Sequence, residues 1–326
     1  MRQIAIVAAL LLASAPVTLP AQSRSISASD KATGAQAHPQ LMQQFGGAYR
    51  GPQAAYVERV GKRVALQSGL SNAGADFTVT LLDSPVENAF AIPGGYVYVT
   101  RQLLALMNSE AELAAVLGHE VGHVAARHST KRNTRAQVGG VAAAILGAVT
   151  GSDLVGRAAS MGSQLYTLRF SRKQEFEADK LGVSYLARAG YTPYAAADML
   201  AELNASTQLQ AAVTGRGGSV PSWISSHPNG EDRIKQAEQL AAATRRPDTT
   251  RTPDTAYLRM HDGLPYDDGR KVVRIHTVRA GDTVQSLARR MAYADRQVDR
   301  FAVLNAVNPD APLAPGTLVK LIVARG

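Results

Sequence analysis

The chain of 326 residues contains no cysteine. Disulfides, thiolate metal sites and cysteine nucleophiles are therefore excluded together. Any metal must sit on His, Asp or Glu, and only seven histidines are available. Long hydrophobic runs are also missing. The apolar stretch Ile4 to Ala15 spans twelve residues, and Val138 to Val149 is equally short and interrupted by Gly. Both fall below the roughly 20 residues that a membrane-crossing helix needs. The second stretch reads as a buried helix or hairpin, or as a point of shallow, peripheral membrane contact. Hydrophobic residues at 45% and charged residues at 19% are ordinary globular values, which rules out disordered and fibrous classes. A net charge of +9 favours anionic surroundings such as nucleic acid, anionic lipid or an acidic wall polymer.

The start of the chain narrows that choice. Arg2, the short apolar run and the small residues up to Ala21 have the layout of a secretory signal peptide over residues 1–21. Export to the periplasm is expected, which argues against a nucleic-acid partner. Residues 22–37 are polar, lack any period and read as a flexible lead-in. Residues 38–245 read as one compact domain, 246–270 as a linker punctuated by Arg-Pro-Asp, Thr-Pro-Asp and Asp-Asp-Gly, and 271–326 as a second small domain. Three short strands are expected around Phe77–Leu82, Asn88–Ile92 and Tyr96–Thr100, with Pro93-Gly94-Gly95 as a turn. Ser109 with Glu112, and Ser171 with Gln174, mark two capped helix starts.

The chemistry centres on His119-Glu120-Val121-Gly122-His123, inside the helix that Ser109 opens. Residues four apart on a helix lie about 6 Å apart along its axis and about 40° around it, so both imidazoles can bind one ion. Glu120 then projects beside that ion and can act as general base on a water. A catalytic zinc takes three protein ligands. The segment Glu175-Phe176-Glu177-Ala178-Asp179 offers the third, and spacing alone leaves Glu175 and Glu177 as near-equal candidates. With Glu175 on the ion, Asp179 on the same helix face can accept the outer N–H of a ligand histidine. His128 reads as a solvated helix residue, and His38, His261 and His276 show no partner pattern.

Three segments occur in one order: Asn88-Ala89-Phe90-Ala91-Ile92-Pro93-Gly94-Gly95, then His119 to His123, then Phe170-Ser171-Arg172 with Glu175 and Asp179. Together they resemble peptidase family M48, over roughly residues 38 to 240. The resemblance implies an α+β fold: a mainly helical, gluzincin-like domain with a small antiparallel sheet. It implies one zinc on His119, His123 and Glu175, Glu120 as base and Asp179 as outer partner, and so raises Glu175 above Glu177. His227 and Arg233 lie in a segment that resembles the family's late His-Pro motif. His227 is expected as a gating ligand at the open zinc position. Arg233 is expected either to stabilise an oxyanion or to form a salt bridge in the fold. Asn88, Ala89 and Phe90 are expected at a sheet edge that pairs with an extended substrate backbone. Loose, backbone-directed recognition suits a quality-control endopeptidase acting on unfolded or misassembled envelope polypeptides. A non-catalytic wall-binding or chaperone-like protein on the same fold is the competing expectation, and the intact His119, Glu120, His123 and Glu175 argue for the enzyme.

The tail, with Gly281-Asp282-Thr283 before Val284 and Pro315-Gly316-Thr317 before Leu318, resembles a LysM peptidoglycan-binding module. The resemblance implies a βααβ unit with glycan contacts near Gly281, Asp282 and Thr283, and peptidoglycan as a partner. Nine Lys/Arg against four Asp give residues 271–326 a net charge of +5, which suits an anionic wall. Such a tail is expected to be separable from peptide cleavage.

Overall fold

The computed structural model describes residues 25–131, 170–215, 223, 227–228, 230–250 and 252–326. The signal-peptide reading and the apolar stretch 138–149 lie outside the described residues. Among the described residues, no helix is long and apolar enough to cross a membrane.

The fold is α+β, helices packed on two small sheets. The three expected strands form as β1 (Thr78–Leu82), β2 (Ala89–Ile92) and β3 (Tyr96–Thr100). Their sheet is mixed where an antiparallel one was expected. The order is β1-β3-β2, with β3 parallel to β1 and antiparallel to β2. The cause is the connection after β1, which carries β2 to the far side and leaves room for β3 to return between them. The Pro93-Gly94-Gly95 turn makes that return. Both glycines have positive φ, and a Cβ on Gly95 would lie 2.4 Å from the Asp76 carbonyl oxygen, so this turn demands glycine.

The lead-in reading fails for residues 28–37. They belong to helix α1 (Ala28–Gln44), whose N-cap Ser27 accepts from the Asp30 N–H at 3.1 Å. Ala37, Leu41 and Met42 cover an apolar cluster of Phe45, Leu82, Phe90, Ile92 and Tyr98 on the sheet. His38, expected to be partnerless, has Nδ1 2.7 Å from the Tyr98 hydroxyl. The polar first half of α1 is held by contacts that composition does not display. Buried Asp30 accepts from Thr130 Oγ1 at 2.9 Å and pairs with Arg127 at 3.1 Å.

Helix α2 (Pro52–Ala65) starts with Pro52, whose missing N–H costs nothing in a first turn, and packs Val57, Val60 and Val64 inward. After the short helices α3 (Ala73–Asp76) and α4 (Arg101–Leu106) comes α5 (Glu110–Ala125), capped by Ser109 as the sequence predicts. Helix α6 (Arg172–Ala189) opens with the expected capping box of Ser171 and Gln174. It is followed by α7 (Ala195–Thr214) and α8 (Glu231–Ala243).

The expected linker is also ordered structure. It contains α9 (Thr255–Met260), with Asp254 capping through the Tyr257 N–H and also accepting the Glu110 N–H at 3.1 Å. His261 has its ring nitrogens 3.1 Å from the Tyr257 carbonyl and 2.8 Å from that of Leu104. Strand β4 (Pro265–Tyr266) then pairs with β5 (Lys271–Thr277). Arg101 donates to the carbonyls of Pro265 and Asp267 at 3.0 and 2.7 Å. Turn residues that punctuate a sequence can still be tied down by long-range partners, and here they are.

The tail runs β5, α10 (Val284–Ala288), α11 (Gln297–Asn305) and β6 (Leu318–Ala324), a βααβ order with β5 and β6 antiparallel. It is docked on the rest of the chain. Lys320, fully buried on β6, donates to the carbonyls of Ala105, Leu106 and Met107, each at 2.8 Å. These three acceptors match the three N–H groups of an ammonium. Leu103, Leu113 and Leu203 share one continuous apolar cluster with Val273, Phe301, Leu304 and Leu321.

Candidate metal centre

Helices α5 and α6 cross at very close range because glycines face each other there. A Cβ on Gly122 would lie 3.0 Å from the Ala178 carbonyl oxygen, and one on Gly182 would lie 3.2 Å from the His119 amide nitrogen. This approach delivers the carboxylates of α6 to the histidines of α5. Four buried side chains, His119, His123, Glu175 and His227, offer ligand atoms that all lie within 4.8 Å of one another. Glu175 Oε2 is 3.5 Å from His119 Nε2, and Glu175 Oε1 is 3.6 Å from His123 Nε2. Between the two carboxylates that spacing left open, the structure thus brings Glu175 to both histidines. Glu177 points away and stands 3.2 Å from His128.

The outer shell is as ordered as the inner. His119 Nδ1 is 2.9 Å from Asp179 Oδ1. Arg233 grips Asp179 with two donors, each at 2.7 Å, and reaches Glu175 Oε2 at 2.7 Å and the Pro228 carbonyl at 3.2 Å. Of the two roles open for Arg233, its contacts correspond to the ion pair. His128, expected in solvent, is fully buried, with Nδ1 2.8 Å from His123 Nδ1. Trp223 is a second residue that sequence reasoning missed. Its indole stacks on His227 with ring centres 4.6 Å apart, and its N–H points at Glu120 Oε1 at 3.4 Å. No spacing signal marks either residue, although a lone Trp close before a His-Pro pair was available as a hint.

Electrostatics follow from this packing. Burial pulls the His119 imidazole down, but hydrogen bonds and charge from Asp179 and Glu175 outweigh it and raise it to about 9. His123 is held well below its ordinary range, first by burial and then by the charge of His119. Burial pushes the Glu175 carboxyl up, yet the charge of His227 and hydrogen bonds from His119 and His227 hold it well below the usual range. Asp179 is likewise low because Arg233 overcomes its burial. Glu120 Oε2 and His227 Nε2 are buried and take no hydrogen bond among the described residues. Unpaired polar atoms this deep are costly unless something else satisfies them. Three imidazoles and a carboxylate form an N/O donor set suited to zinc, so the residues present fit that ion.

A cavity of about 450 Å³ opens beside the cluster, between the outer strand β2 and the C-terminal end of α5. Ala91, Ile92, Pro93, Gly94 and His123 border it, with Ile26 and Asp30 across from them. Asn88, Ala89 and Phe90 are buried and are not among the residues that border it. The Asn88 amide has neither its nitrogen nor its oxygen hydrogen-bonded among the described residues. Gly281, Asp282 and Thr283 lie together in the turn before α10. Asp282 accepts from the Arg279 N–H at 2.8 Å and faces His276 Nε2 at 2.8 Å, while Thr283 caps the helix.

A glycine-tight helix pair that presents two histidines, a glutamate base candidate and a carboxylate as third ligand to one point has the layout of a metallopeptidase site. Residues 52–241 match Peptidase family M48. The match covers more than half of the chain, which belongs to that family of zinc metallopeptidases. The mitochondrial metalloendopeptidase OMA1 of Schizosaccharomyces pombe is 34% identical over 191 residues, 58% of this chain and 53% of the relative. The beta-barrel assembly-enhancing protease of Escherichia coli O157:H7 is 30% identical over 213 residues, 62% of this chain and 42% of the relative. A protein named as a putative beta-barrel assembly-enhancing protease in Vibrio cholerae is 28% identical over 195 residues, covering 57% and 38%. The chain spans about half the length of these relatives or less.

Proposed function

We propose that the protein is a periplasmic endopeptidase that cleaves unfolded or misassembled envelope polypeptides, with His119, His123 and Glu175 holding the zinc. The observation that carries this reading is the buried cluster of donors beside a carboxylate oxygen, Glu120 Oε2, that has no hydrogen-bond partner among the described residues. The ion, when bound, supplies a Lewis acid that polarises the scissile carbonyl and makes a water acidic. Glu120 takes the proton of the attacking water at Oε2 and passes it to the leaving amine nitrogen. Asp179 accepts from His119 Nδ1 and thereby holds Nε2 inward, while Arg233 fixes Asp179 and Glu175 in place. Arg233 is thus a positioning residue, and its engaged donors leave the oxyanion role without support.

An extended substrate fits the cavity beside β2, with the Ala91–Gly94 backbone alongside it. The signal-peptide pattern supports export, and the name beta-barrel assembly-enhancing protease supports envelope substrates. The basic βααβ tail supports a role in peptidoglycan binding through the turn at Gly281–Thr283, where the side chains of Asp282 and Thr283 are already engaged and the backbone would make the contacts. The test uses the full chain: about one zinc per molecule, cleavage of a denatured protein, loss of cleavage on chelation and recovery with zinc. A chain that binds no zinc, or binds it without cleaving, contradicts the proposal.

His227 sits with Nδ1 3.2 Å from both His119 Nε2 and Glu175 Oε1, in the position of a fourth ligand. This arrangement supports a resting state that His227 closes. His227→Ala should then raise cleavage severalfold, and unchanged or lower cleavage sinks the gate.

A further inference from the structure

A histidine that binds a metal through one ring nitrogen must present a defined proton on the other, and the partner of that second nitrogen sets ring orientation and tautomer. His119 meets this need with Asp179. Among the described residues no carboxylate stands behind His123, and its Nδ1 faces His128 Nδ1 at 2.8 Å. Two imidazole nitrogens at that distance share one proton. If His123 Nε2 faces the ion, Nδ1–H of His123 donates and Nδ1 of His128 accepts. His128 must then carry its own proton on Nε2, where Glu177 Oε2 lies 3.2 Å away. The polarity of the chain is fixed from its outer end, because a carboxylate oxygen can only accept.

The backbone is shaped to make this contact. Helix α5 ends at Ala125, and Arg127 takes a left-handed conformation with φ of 55°, which L-residues other than Asn and Asp seldom adopt. That turn brings His128 back against His123. Arg127 is held there by its ion pair with Asp30, and the His128 carbonyl accepts from Gln174 Nε2 at 3.4 Å. Phe170 stacks on His123 with ring centres 3.9 Å apart and planes at 22°, fixing the ring that the relay orients.

We propose that His128 and Glu177 are positioning residues, a second outer relay that fixes His123 as a metal ligand as Asp179 and Arg233 fix His119. The proposal rests on the reading that His123 is a ligand. The experiment titrates the full chain with zinc against a competing chelator and records the melting temperature of the metal-free protein. His128→Phe keeps the ring volume without an acceptor and should weaken zinc binding about 10- to 100-fold while the metal-free melting temperature holds. His128→Gln offers an acceptor oxygen and should recover most of the affinity. Glu177→Ala alters a half-exposed side chain, does not threaten the fold, and should weaken zinc binding by a smaller factor. Wild-type affinity in both His128→Phe and Glu177→Ala overturns the relay, as does an equal loss in His128→Phe and His128→Gln. If His128→Phe does not fold, Glu177→Ala decides alone. A wild-type chain that binds no zinc instead overturns the ligand reading itself.

Discussion

The helix pair α5 and α6 and the C-terminal βααβ unit are both held by buried polar groups, but in opposite ways. At the helix pair the polar atoms converge on one point, and among the described residues Glu120 Oε2 and His227 Nε2 make no hydrogen bond. At the tail, the buried ammonium of Lys320 has three carbonyl partners at 2.8 Å and faces Glu112 and Glu202 as countercharges. The first pattern is an unfinished site that a ligand completes, and the second is a finished joint. The difference teaches that burial of charge alone does not mark function, whereas burial with unmet valence does.

Three perturbations sharpen the contrast. Removing residues 271–326 should have the largest effect. It strips Lys320 from the end of α4 and uncovers Leu103, Leu113 and Leu203, so residues 25–270 should lose the cooperative melt of the full chain. A truncated protein that melts and cleaves like the full one would make the tail a tether after all. Lys320→Met comes next. It leaves Glu112, Glu202 and three carbonyls without their cation, and breaking such a buried pair costs about 3–5 kcal/mol, read by denaturant unfolding. A loss below about 1 kcal/mol would mean the joint is held by apolar contact alone. The smallest effect is on pH dependence. Burial lowers the Lys320 amine from 10.5 to about 7, with Glu202 and Glu112 opposing the fall. Between those two values the unfolded chain holds more protons at this residue. Its contribution to stability therefore rises with pH across that window, by at most about 1.4 kcal/mol per unit. Subtracting the Lys320→Met profile from that of the wild type should expose this rise, and a flat difference would contradict it.

Local chemistry was legible in the sequence and long-range placement was not. His119, Glu120 and His123 lie on one helix, and Glu175 and Asp179 on another, so periodicity and capping residues suffice to find them. The capping box at Ser171 forms where spacing puts it, and Ser109 caps α5 through the Glu112 N–H. His128 was misread because its burial depends on a left-handed residue, Arg127, that carries no glycine signature. Helix α1 was missed because its polar half is held by Asp30 against Arg127 and Thr130, about a hundred residues away. Residues 246–270 were missed for the same reason, since Arg101 and the Leu104 carbonyl hold them from outside the segment. The mixed sheet follows from strand order, which strand patterns do not encode.

In the proposed mechanism Glu120 Oε2, which has no hydrogen-bond partner among the described residues, moves the proton while other side chains hold the ion. Glu120→Gln in the full chain isolates the two roles, with zinc content and cleavage of a denatured protein measured on the same sample beside wild type. Both proteins should hold about one zinc per chain, and turnover in the variant should fall by 10²–10⁴-fold or more. Wild-type turnover in a zinc-loaded Glu120→Gln protein would contradict the mechanism.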